Sequence, residues 1–329
     1  MQDFSGFLES MFTADSETIT QKALAVFRYQ AENNAVYRRF LQYLDIAPVQ
    51  VTQLTDIPFL PISVFKQHKV VSGSVDPDLV FTSSGTTGMQ VSSHFVADPA
   101  LYVTSYLEGF RRVYGDPSGY CILALLPSYL ERSGSSLVYM CQGLIERSGH
   151  PKSGFYLHDM AQLALVLAEL REKGTPTLLI GVSFALLDLG EGFPMHFPEL
   201  LVMETGGMKG RREELTREAL HSALCRAFGT TSIHSEYGMT ELLSQAYSTG
   251  NGLFASPPWM RIFIRDPEDP MSQMGVGKTG CINVMDLANV HSCSFIATDD
   301  LGKVHADGRF EVLGRFDASD VRGCNLLVQ

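Results

Sequence analysis

The chain has 329 residues, of which 45% are hydrophobic and 19% charged, and its formal net charge is -11. This composition is typical of a globular protein long enough to bury a large core. Because lysine and arginine form no basic stripe, the sequence indicates no nucleic-acid partner.

The six cysteines indicate neither a disulfide framework nor a zinc site, since no CxxC pair occurs and most lie in apolar runs, as Cys121 does. Buried free thiols are typical of the reducing cytoplasm. The N-terminal residues include the acidic Asp3 and Glu9 and lack the apolar core of a signal peptide. No apolar run reaches spanning length. We therefore expect a cytoplasmic protein with no membrane span.

Residues 1–45 have the apolar spacing of amphipathic helices packed on their own domain. Residues 57–66 follow, and two prolines exclude a regular helix there. Lys66 ends this apolar run, where it could meet an anion, although a solvated lysine is the simpler interpretation.

Between residues 79 and 250 the pattern alternates between strand and helix, which predicts an α/β sheet. From about residue 251 glycine, aspartate and short strands dominate, which predicts a β-rich, meander-like part. Strands are predicted at 79–81, 91–96, 120–126, 177–181, 200–203, 231–234, 261–264, 280–284, 294–298 and 309–313, and helices at 101–113, 137–145, 161–170, 184–189 and 211–228.

The first motif, residues 81–88, is a run of hydroxyl residues and glycines that follows a predicted strand. Its glycines let the backbone approach another group closely, and its hydroxyls and N–H groups suit phosphate oxygens. It lacks the Gly-Lys-Ser/Thr of a P-loop. We interpret it as a phosphate-binding loop; a flexible Ser/Gly linker is the alternative. The candidate residues are Ser83, Ser84, Gly85, Thr86, Thr87 and Gly88.

The second motif, residues 234–241, reads His-Ser-Glu-Tyr-Gly-Met-Thr-Glu. Tyr237 offers a flat face to a base, and Gly238 marks a turn that exposes its neighbours. Thr240 offers a hydroxyl to a phosphate, and Glu241 offers a hard oxygen to Mg²⁺. The alternative is an ordinary helix start, with Thr240 as the cap and Glu241 in the first turn.

The third motif comprises residues 297–302, Ala-Thr-Asp-Asp-Leu-Gly, and 310–317, Phe-Glu-Val-Leu-Gly-Arg-Phe-Asp. An aspartate beyond a strand end can hold the two vicinal hydroxyls of a ribose. A plain tight turn at 298–302 is the alternative.

The three motifs, in this order over residues 80–323, resemble the adenylate-forming superfamily of acyl-CoA synthetases, nonribosomal adenylation domains and luciferases. The narrower resemblance is to acyl-protein synthetases of the bacterial bioluminescence (LuxE) type. It adds residues 60–66, Leu-Pro-Ile-Ser-Val-Phe-Lys, and 319–325, Ser-Asp-Val-Arg-Gly-Cys-Asn.

This resemblance implies an α/β fold like the large domain of adenylate-forming enzymes, with layered sheets and a smaller β-rich subdomain. Residues 1–314 would form that domain, divided into a helical part (1–78), an α/β core (79–250) and the β-rich subdomain (251–314). Residues 315–329 would hold a hinge-like motif and a short tail. The superfamily's mobile C-terminal domain, with its catalytic lysine, is expected to be absent.

The reaction implied has two steps: a carboxylate attacks the α-phosphate of MgATP to give an acyl-adenylate, and a thiol then displaces AMP. The first motif would hold the β,γ-phosphates. Tyr237 would lie against adenine, Thr240 would contact the α-phosphate and Glu241 would bind Mg²⁺. The resemblance also assigns Asp300 to the ribose, Arg315 to the ribose or phosphate, Asp317 to the hinge, and Gly206 and Gly207 to a segment beside adenine and the acyl pocket.

The sequence departs from the family pattern at several positions. The family's Thr-Gly-Asp is Thr298-Asp299-Asp300 here, so either aspartate is a candidate for the ribose, and Met89-Gln90 replaces Pro-Lys after the first motif. Without the C-terminal lysine, a base for the substrate carboxylate must come from elsewhere. Lys209 is the candidate, and a solvated lysine at a helix entry is the alternative.

Cys324 matches the near-terminal cysteine that accepts the acyl group in the acyl-protein synthetases. The neighbouring Arg322 would favour its thiolate; a small apolar residue in a terminal strand is the alternative. We expect a small carboxylic acid, of the fatty class, as substrate. A ligase that acylates coenzyme A or a carrier protein directly, and a non-catalytic nucleotide-binding subunit, are the alternative functions.

Overall fold

The computed structural model describes residues 10–74, 76–83, 91–127, 134–157, 159–206 and 215–316. Within these ranges the helices are α1 (Ser16–Asn33), α2 (Ala35–Tyr43), α3 (Pro99–Tyr114), α4 (Ser136–Ser148), α5 (Met160–Glu172), α6 (Ser183–Gly192) and α7 (Arg217–Phe228). The strands are β1 (Leu60–Pro61), β2 (Leu79–Thr82), β3 (Ser93–Val96), β4 (Cys121–Leu125), β5 (Gly154–Phe155), β6 (Thr177–Gly181), β7 (Leu201–Glu204), β8 (His234–Tyr237), β9 (Ala246–Ser248), β10 (Leu253–Phe254), β11 (Met260–Arg265), β12 (Thr279–Asp286), β13 (Phe295–Val304) and β14 (Phe310–Arg315).

One sheet is built from the alternating part of the sequence, with strand order β5-β4-β6-β7-β8-β9. Its first five strands are parallel, and β9 runs antiparallel to β8. Every residue of β4 and β6 is buried, which explains why both read as continuous apolar runs rather than as alternating patterns. Because parallel strands end at one edge, the loops after β7 and β8 lie side by side there.

A second sheet, with order β10-β14-β13-β12-β11, confirms the β-rich part predicted after residue 251. Its strands pair antiparallel, and β1 joins it through a parallel pairing with β13. The N-terminal helices also reach it, since the Gln30 side chain donates from Nε2 to the carbonyl of Asn289 over 3.0 Å. The N-terminal segment is therefore built into the β-rich sheet.

Strands β2 and β3 form a separate antiparallel hairpin. The hairpin confirms the two strands predicted on either side of the first motif. Residues 84–90, between them, lie outside the described residues.

Three expectations are wrong in detail. The strand predicted at 231–234 lies later in the chain, as β8 at His234–Tyr237. The second motif then continues through a turn into β9, so Thr240 does not begin a helix and that alternative is excluded. Residues 298–302 lie inside β13, so they do not form a tight turn. Helix α7 begins at Arg217 because Thr216 caps it, with Thr216 Oγ1 accepting from the Ala219 N–H at 3.2 Å. The predicted helix included Leu215 and Thr216, which are not helical.

Among the described cysteines all five are free thiols, and four of them are buried. This confirms the expectation that the cysteines form no disulfides within this part of the chain. No helix in the described ranges is both long enough and apolar enough to cross a lipid bilayer.

Candidate active site

The first and second motifs meet at the loop end of the hairpin. Ser83 and Ser92 close the hairpin: the Ser83 N–H donates to the Ser92 carbonyl over 3.0 Å, and the Ser92 N–H donates to Ser83 Oγ over 2.9 Å. The Ser92 hydroxyl also lies near the carboxylate of Glu241 and lowers the pKa of that group. The loop of the first motif therefore begins and ends beside the second motif.

Tyr237 connects the second motif with the third. Its ring packs edge-on against Phe254 and Phe310, with centroids 6.0 and 5.6 Å away. Its Oη donates a 2.9 Å hydrogen bond to Oδ2 of Asp300. Burial and the Asp300 charge raise the Tyr237 pKa well above its usual value, so the phenol keeps the proton that it donates.

Asp300 and Arg315 are cross-strand partners on β13 and β14. The Arg315 Nε lies 3.8 Å from Asp300 Oδ1, and Arg315 is 88% exposed whereas Asp300 is 16% exposed. Burial raises the Asp300 pKa, against the hydrogen bond from Tyr237 and the charge of Arg315. Asp299 is exposed. Asp300 is thus the aspartate that faces the second motif.

Two buried side chains hold the turn of the second motif by its backbone. Nδ1 of His94 lies 2.9 Å from the Thr240 carbonyl, and the Asn289 side chain donates from Nδ2 to the Glu241 carbonyl over 2.8 Å. Burial lowers the His94 pKa to about 4, so the ring is neutral near pH 7. Since a carbonyl can only accept, His94 carries its proton on Nδ1.

Glu241 is a buried carboxylate, 4% exposed, that lies among cationic groups. Burial raises the pKa of Glu241. This rise is opposed by the neighbouring Ser92 hydroxyl and by the charges of Arg315 and Lys66. The pairing of β1 with β13 brings Lys66 here, at the end of the 3₁₀ helix Ile62–Lys66. The simpler prediction from the sequence is a solvated Lys66. The Lys66 side chain is exposed, and its charge lowers the pKa of Glu241.

The donor set around Glu241 fits Mg²⁺. Magnesium usually takes one or two carboxylates, with substrate phosphates and water as the other ligands. Among the described residues there is no group of three or more His, Cys, Asp or Glu that could hold a metal by itself. A single carboxylate beside the first motif has the pattern of a magnesium site that phosphates and water complete, rather than that of a structural metal.

Gly206 follows β7 at the same edge of the sheet and has φ of 72°, a left-handed conformation that glycine adopts without strain. Its N–H donates to Oε2 of Glu204 over 2.6 Å. Ser183, at the start of α6, donates to the same oxygen over 3.3 Å, and His221 Nε2 lies 3.6 Å from Oε1. The buried Glu204 thus ties the glycine-rich segment to two helices.

The structure brings Ser83, Gly206, Tyr237, Gly238, Thr240, Glu241, Asp300 and Arg315 to one region of the two sheets. Predicted residues that lie outside the described ranges are Ser84, Gly85, Thr86, Thr87, Gly88, Gly207, Lys209, Asp317 and Cys324.

Sequence reasoning missed the residues that support the site: Ser92, His94, Glu204 and Asn289. They lie outside the three motifs and act through tertiary contacts. Their signal in the sequence is weak, a polar residue at the end of a strand or beside an apolar run.

The N-terminal part of the chain, residues 8–102, matches the family model described as "Acyl-protein synthetase, LuxE". The whole chain is similar to the long-chain-fatty-acid–luciferin-component ligase of Vibrio harveyi. The two are 24% identical over 352 aligned positions, which cover 98% of this chain and 90% of that protein.

Solved structures with the same fold include an open conformation of 2-hydroxyisobutyryl-CoA ligase in complex with 2-HIB-AMP and CoA. Its TM-score is 0.70 at 14% identity, covering 92% of this chain and 70% of that one. ATP-bound MatB from Rhodopseudomonas palustris gives a TM-score of 0.53 at 19% identity, covering 74% of this chain and 49% of that one. The chain is therefore similar in sequence to the LuxE-type acyl-protein synthetases and has the fold of the adenylate-forming ligases.

Proposed function

We propose that this protein is an acid–thiol ligase that activates a carboxylic acid, of the fatty class, as an acyl-adenylate and transfers the acyl group to a thiol. The observation that carries the proposal is the convergence of the three motifs, through the contact of His94 Nδ1 with the Thr240 carbonyl and the Tyr237–Asp300 hydrogen bond. The fatty class is supported by the name of the Vibrio harveyi relative.

In this proposal ATP lies across the edge where β8 and β13 meet. Tyr237 lies against adenine, Asp300 accepts from the ribose hydroxyls, and Arg315 reaches the ribose or the α-phosphate. The buried hydrogen bond between Tyr237 and Asp300 supports these roles because it fixes both side chains before the nucleotide binds. The first motif, from Ser83 to Gly88, holds the β- and γ-phosphates.

Glu241 would hold Mg²⁺, whose charge would balance that of the phosphates. A carboxylate of the acid attacks the α-phosphorus, the bond from that phosphorus to the bridging oxygen breaks, and pyrophosphate leaves. Thr240 contacts the α-phosphate, and the cationic Arg315 and Lys66 balance the negative charge that collects there. Lys209 and Lys66 are both candidates for the positively charged group beside the carboxylate of the acid.

In the second step a thiolate attacks the acyl carbon, the bond from that carbon to the phosphate oxygen breaks, and AMP leaves. Cys324 is the proposed thiol. Its sequence context supports it, because Arg322 lies two residues away and a neighbouring cation favours the thiolate. The free cysteines of the described residues also support a cytoplasmic location.

The test of the proposal is a paired assay on Cys324→Ser with a panel of fatty, aromatic and short-chain acids. We expect acid-dependent exchange between pyrophosphate and ATP to survive, because adenylation does not use the thiol. Hydroxylamine-sensitive acyl labelling of the protein should disappear. The matched control is Cys225→Ser, a half-buried cysteine outside the motifs, which should change neither assay.

Labelling that survives in Cys324→Ser would reject the role of Cys324, and a lack of exchange with every acid would reject the function. A second acceptor is favoured by the 2-hydroxyisobutyryl-CoA ligase neighbour, whose structure contains CoA. If coenzyme A or an acyl carrier protein receives the acyl group directly, the thioester product forms with that thiol and the Cys324→Ser variant still makes it.

A further inference from the structure

Strand β8 has a second face, which the nucleotide site does not use. Because side chains alternate along a strand, Tyr237 points to one face and Glu236 to the other. Glu236 is the cross-strand partner of Tyr247 on β9, so both side chains lie on this second face. Helix α3 covers it: the rings of Phe110 and Tyr114 lie 6.3 and 5.5 Å from the Tyr247 ring.

Two polar groups on this face have no hydrogen-bond partner within the described part of the chain, and the Glu236 carboxyl lies beside them. Tyr247 and Gln245 are 3% and 4% exposed, and Oη of the first and Oε1 of the second are buried and unpaired. Glu236 is half-buried, and burial together with the Glu204 charge raises its pKa to about 8, with no hydrogen bond or cation that lowers it.

These groups converge at the carboxyl end of β8. Oε1 of Glu236 and Cγ of Gln245 are the atoms nearest to the space that a side chain at Gly238 would occupy. Gly238 is followed, two residues later, by the turn of Thr240 and Glu241. The unpaired groups therefore lie beside the place where the carboxylate of the acid must meet the α-phosphate.

Buried polar groups in folded proteins are nearly always paired, and an unpaired group needs a reason such as a ligand. With its pKa raised, the Glu236 carboxyl keeps a proton near pH 7 and can donate as well as accept, as the Tyr247 phenol can, whereas the amide oxygen of Gln245 only accepts. A ligand that satisfies all three carries a group that both donates and accepts, such as a hydroxyl or amino group. On this face of the sheet, beside the reacting centre, that ligand is the acyl part of the substrate.

We propose that Glu236, Gln245 and Tyr247 bind a hydroxyl or amino group that the acid carries on one of the first carbons after its carboxyl group. The enzyme then prefers a hydroxy or amino acid to the unsubstituted acid of equal length. This inference rests on the proposed adenylation of a carboxylic acid and names the class of that acid.

The test compares acids of one chain length in the ATP–pyrophosphate exchange assay: octanoic acid, 2- and 3-hydroxyoctanoic acid, and 3-aminooctanoic acid. We expect kcat/KM for one of the substituted acids to exceed that for octanoic acid by at least about tenfold, because octanoic acid leaves buried polar groups unpaired. The hydroxy and amino arms identify which donor the site takes.

Two variants then connect the preference with this face. Tyr247→Phe and Glu236→Gln should each reduce the selectivity ratio between the substituted and the plain acid by about fivefold or more. Tyr114→Phe is the matched control, since the Tyr114 hydroxyl lies on the same face but already has a partner, Nδ1 of His234 at 3.1 Å. It should leave the ratio unchanged.

The inference is overturned if octanoic acid is used as well as every substituted acid, or if the Tyr247 and Tyr114 variants change the ratio equally. In both cases exchange still occurs, so the proposed function stands. If no acid supports exchange, the proposed function fails and the inference fails with it. A ratio lost in Tyr247→Phe and kept in Tyr114→Phe supports it.

Discussion

Asp300 and Asp299 are neighbours in the sequence but have opposite surroundings. Asp300 is largely buried and accepts from Tyr237, whereas Asp299 is exposed, although its carbonyl accepts from the Phe316 N–H over 2.6 Å. Alternation along β13 places the two side chains on opposite faces. The family pattern left either aspartate as the ribose ligand, and the geometry favours Asp300.

We therefore predict that Asp300→Asn lowers kcat/KM for ATP in the exchange assay by roughly 10- to 100-fold, because a charged acceptor for the ribose hydroxyls is lost. Asp299→Asn is the matched control, with the same chemical change one residue away. It should stay within about twofold of the wild type, by analogy with other surface substitutions. A larger loss for Asp299→Asn than for Asp300→Asn would reverse the assignment.

The residues of the second and third motifs could be predicted from the sequence because their chemistry stands close together in the chain. His94 and Asn289 could not, since they hold the carbonyls of Thr240 and Glu241 from positions 146 and 48 residues away. The same limit applies to the Glu236 face. Its members become neighbours only when β9 folds back on β8.

At the scale of elements, the short segment β1 and its 3₁₀ helix is the part that the sequence placed least well. Two prolines correctly excluded an α-helix, but nothing in residues 57–66 predicts a parallel pairing with β13, more than 200 residues away. Because β1 does not pair with a strand that neighbours it in the chain, this pairing forms only when distant parts of the chain fold together. The long apolar runs of β4 and β6 were predicted well because burial on both faces leaves a local signal.

This segment also supplies a testable cation. Phe65 packs edge-on against the His94 ring, with centroids 5.9 Å apart, which fixes the end of the 3₁₀ helix beside the second motif. The charge of Lys66 acts on Glu241 from there. We expect Lys66→Ala to lower kcat for exchange by about tenfold or more, because a cation near the developing phosphate charge is removed.

Lys69 is the matched control for that substitution. It follows in the same segment, and its ammonium lies 5.3 Å from the centre of the Phe95 ring. Lys69→Ala removes the same charge from the protein, but Lys69 is not one of the cations that lower the pKa of Glu241. Equal losses in the two variants would show a general effect of charge, and the proposed role of Lys66 would then be wrong.

At the scale of the whole molecule, the site lies where three separately built parts meet. The hairpin contributes Ser92 and His94, the parallel sheet contributes Tyr237 and the turn that follows it, and the β-rich sheet contributes Asp300. Each contact between parts is polar and at least partly buried. The geometry of the site therefore depends on how these parts pack together. We expect the loss of one contact to lower the free energy of unfolding as well as the activity.

His94 makes this coupling measurable, because burial lowers its pKa to about 4 from an ordinary value of 6.5. Between these values the unfolded chain binds a proton that the folded chain does not, so stability from the neutral ring is present above pH 6.5 and is lost as the pH falls towards 4. His94→Asn keeps a side-chain N–H for the Thr240 carbonyl and cannot titrate.

We predict that the free energy of unfolding of the wild type, minus that of His94→Asn, rises with pH from 4 to 6.5 by at most about 1.4 kcal/mol per pH unit and is flat above pH 7. Urea unfolding at a series of pH values measures this difference, and carboxylates that titrate in both proteins cancel from it. A difference that does not change with pH would mean that His94 has the same pKa in the folded and the unfolded chain, and the expected effect of burial on this ring would then be wrong.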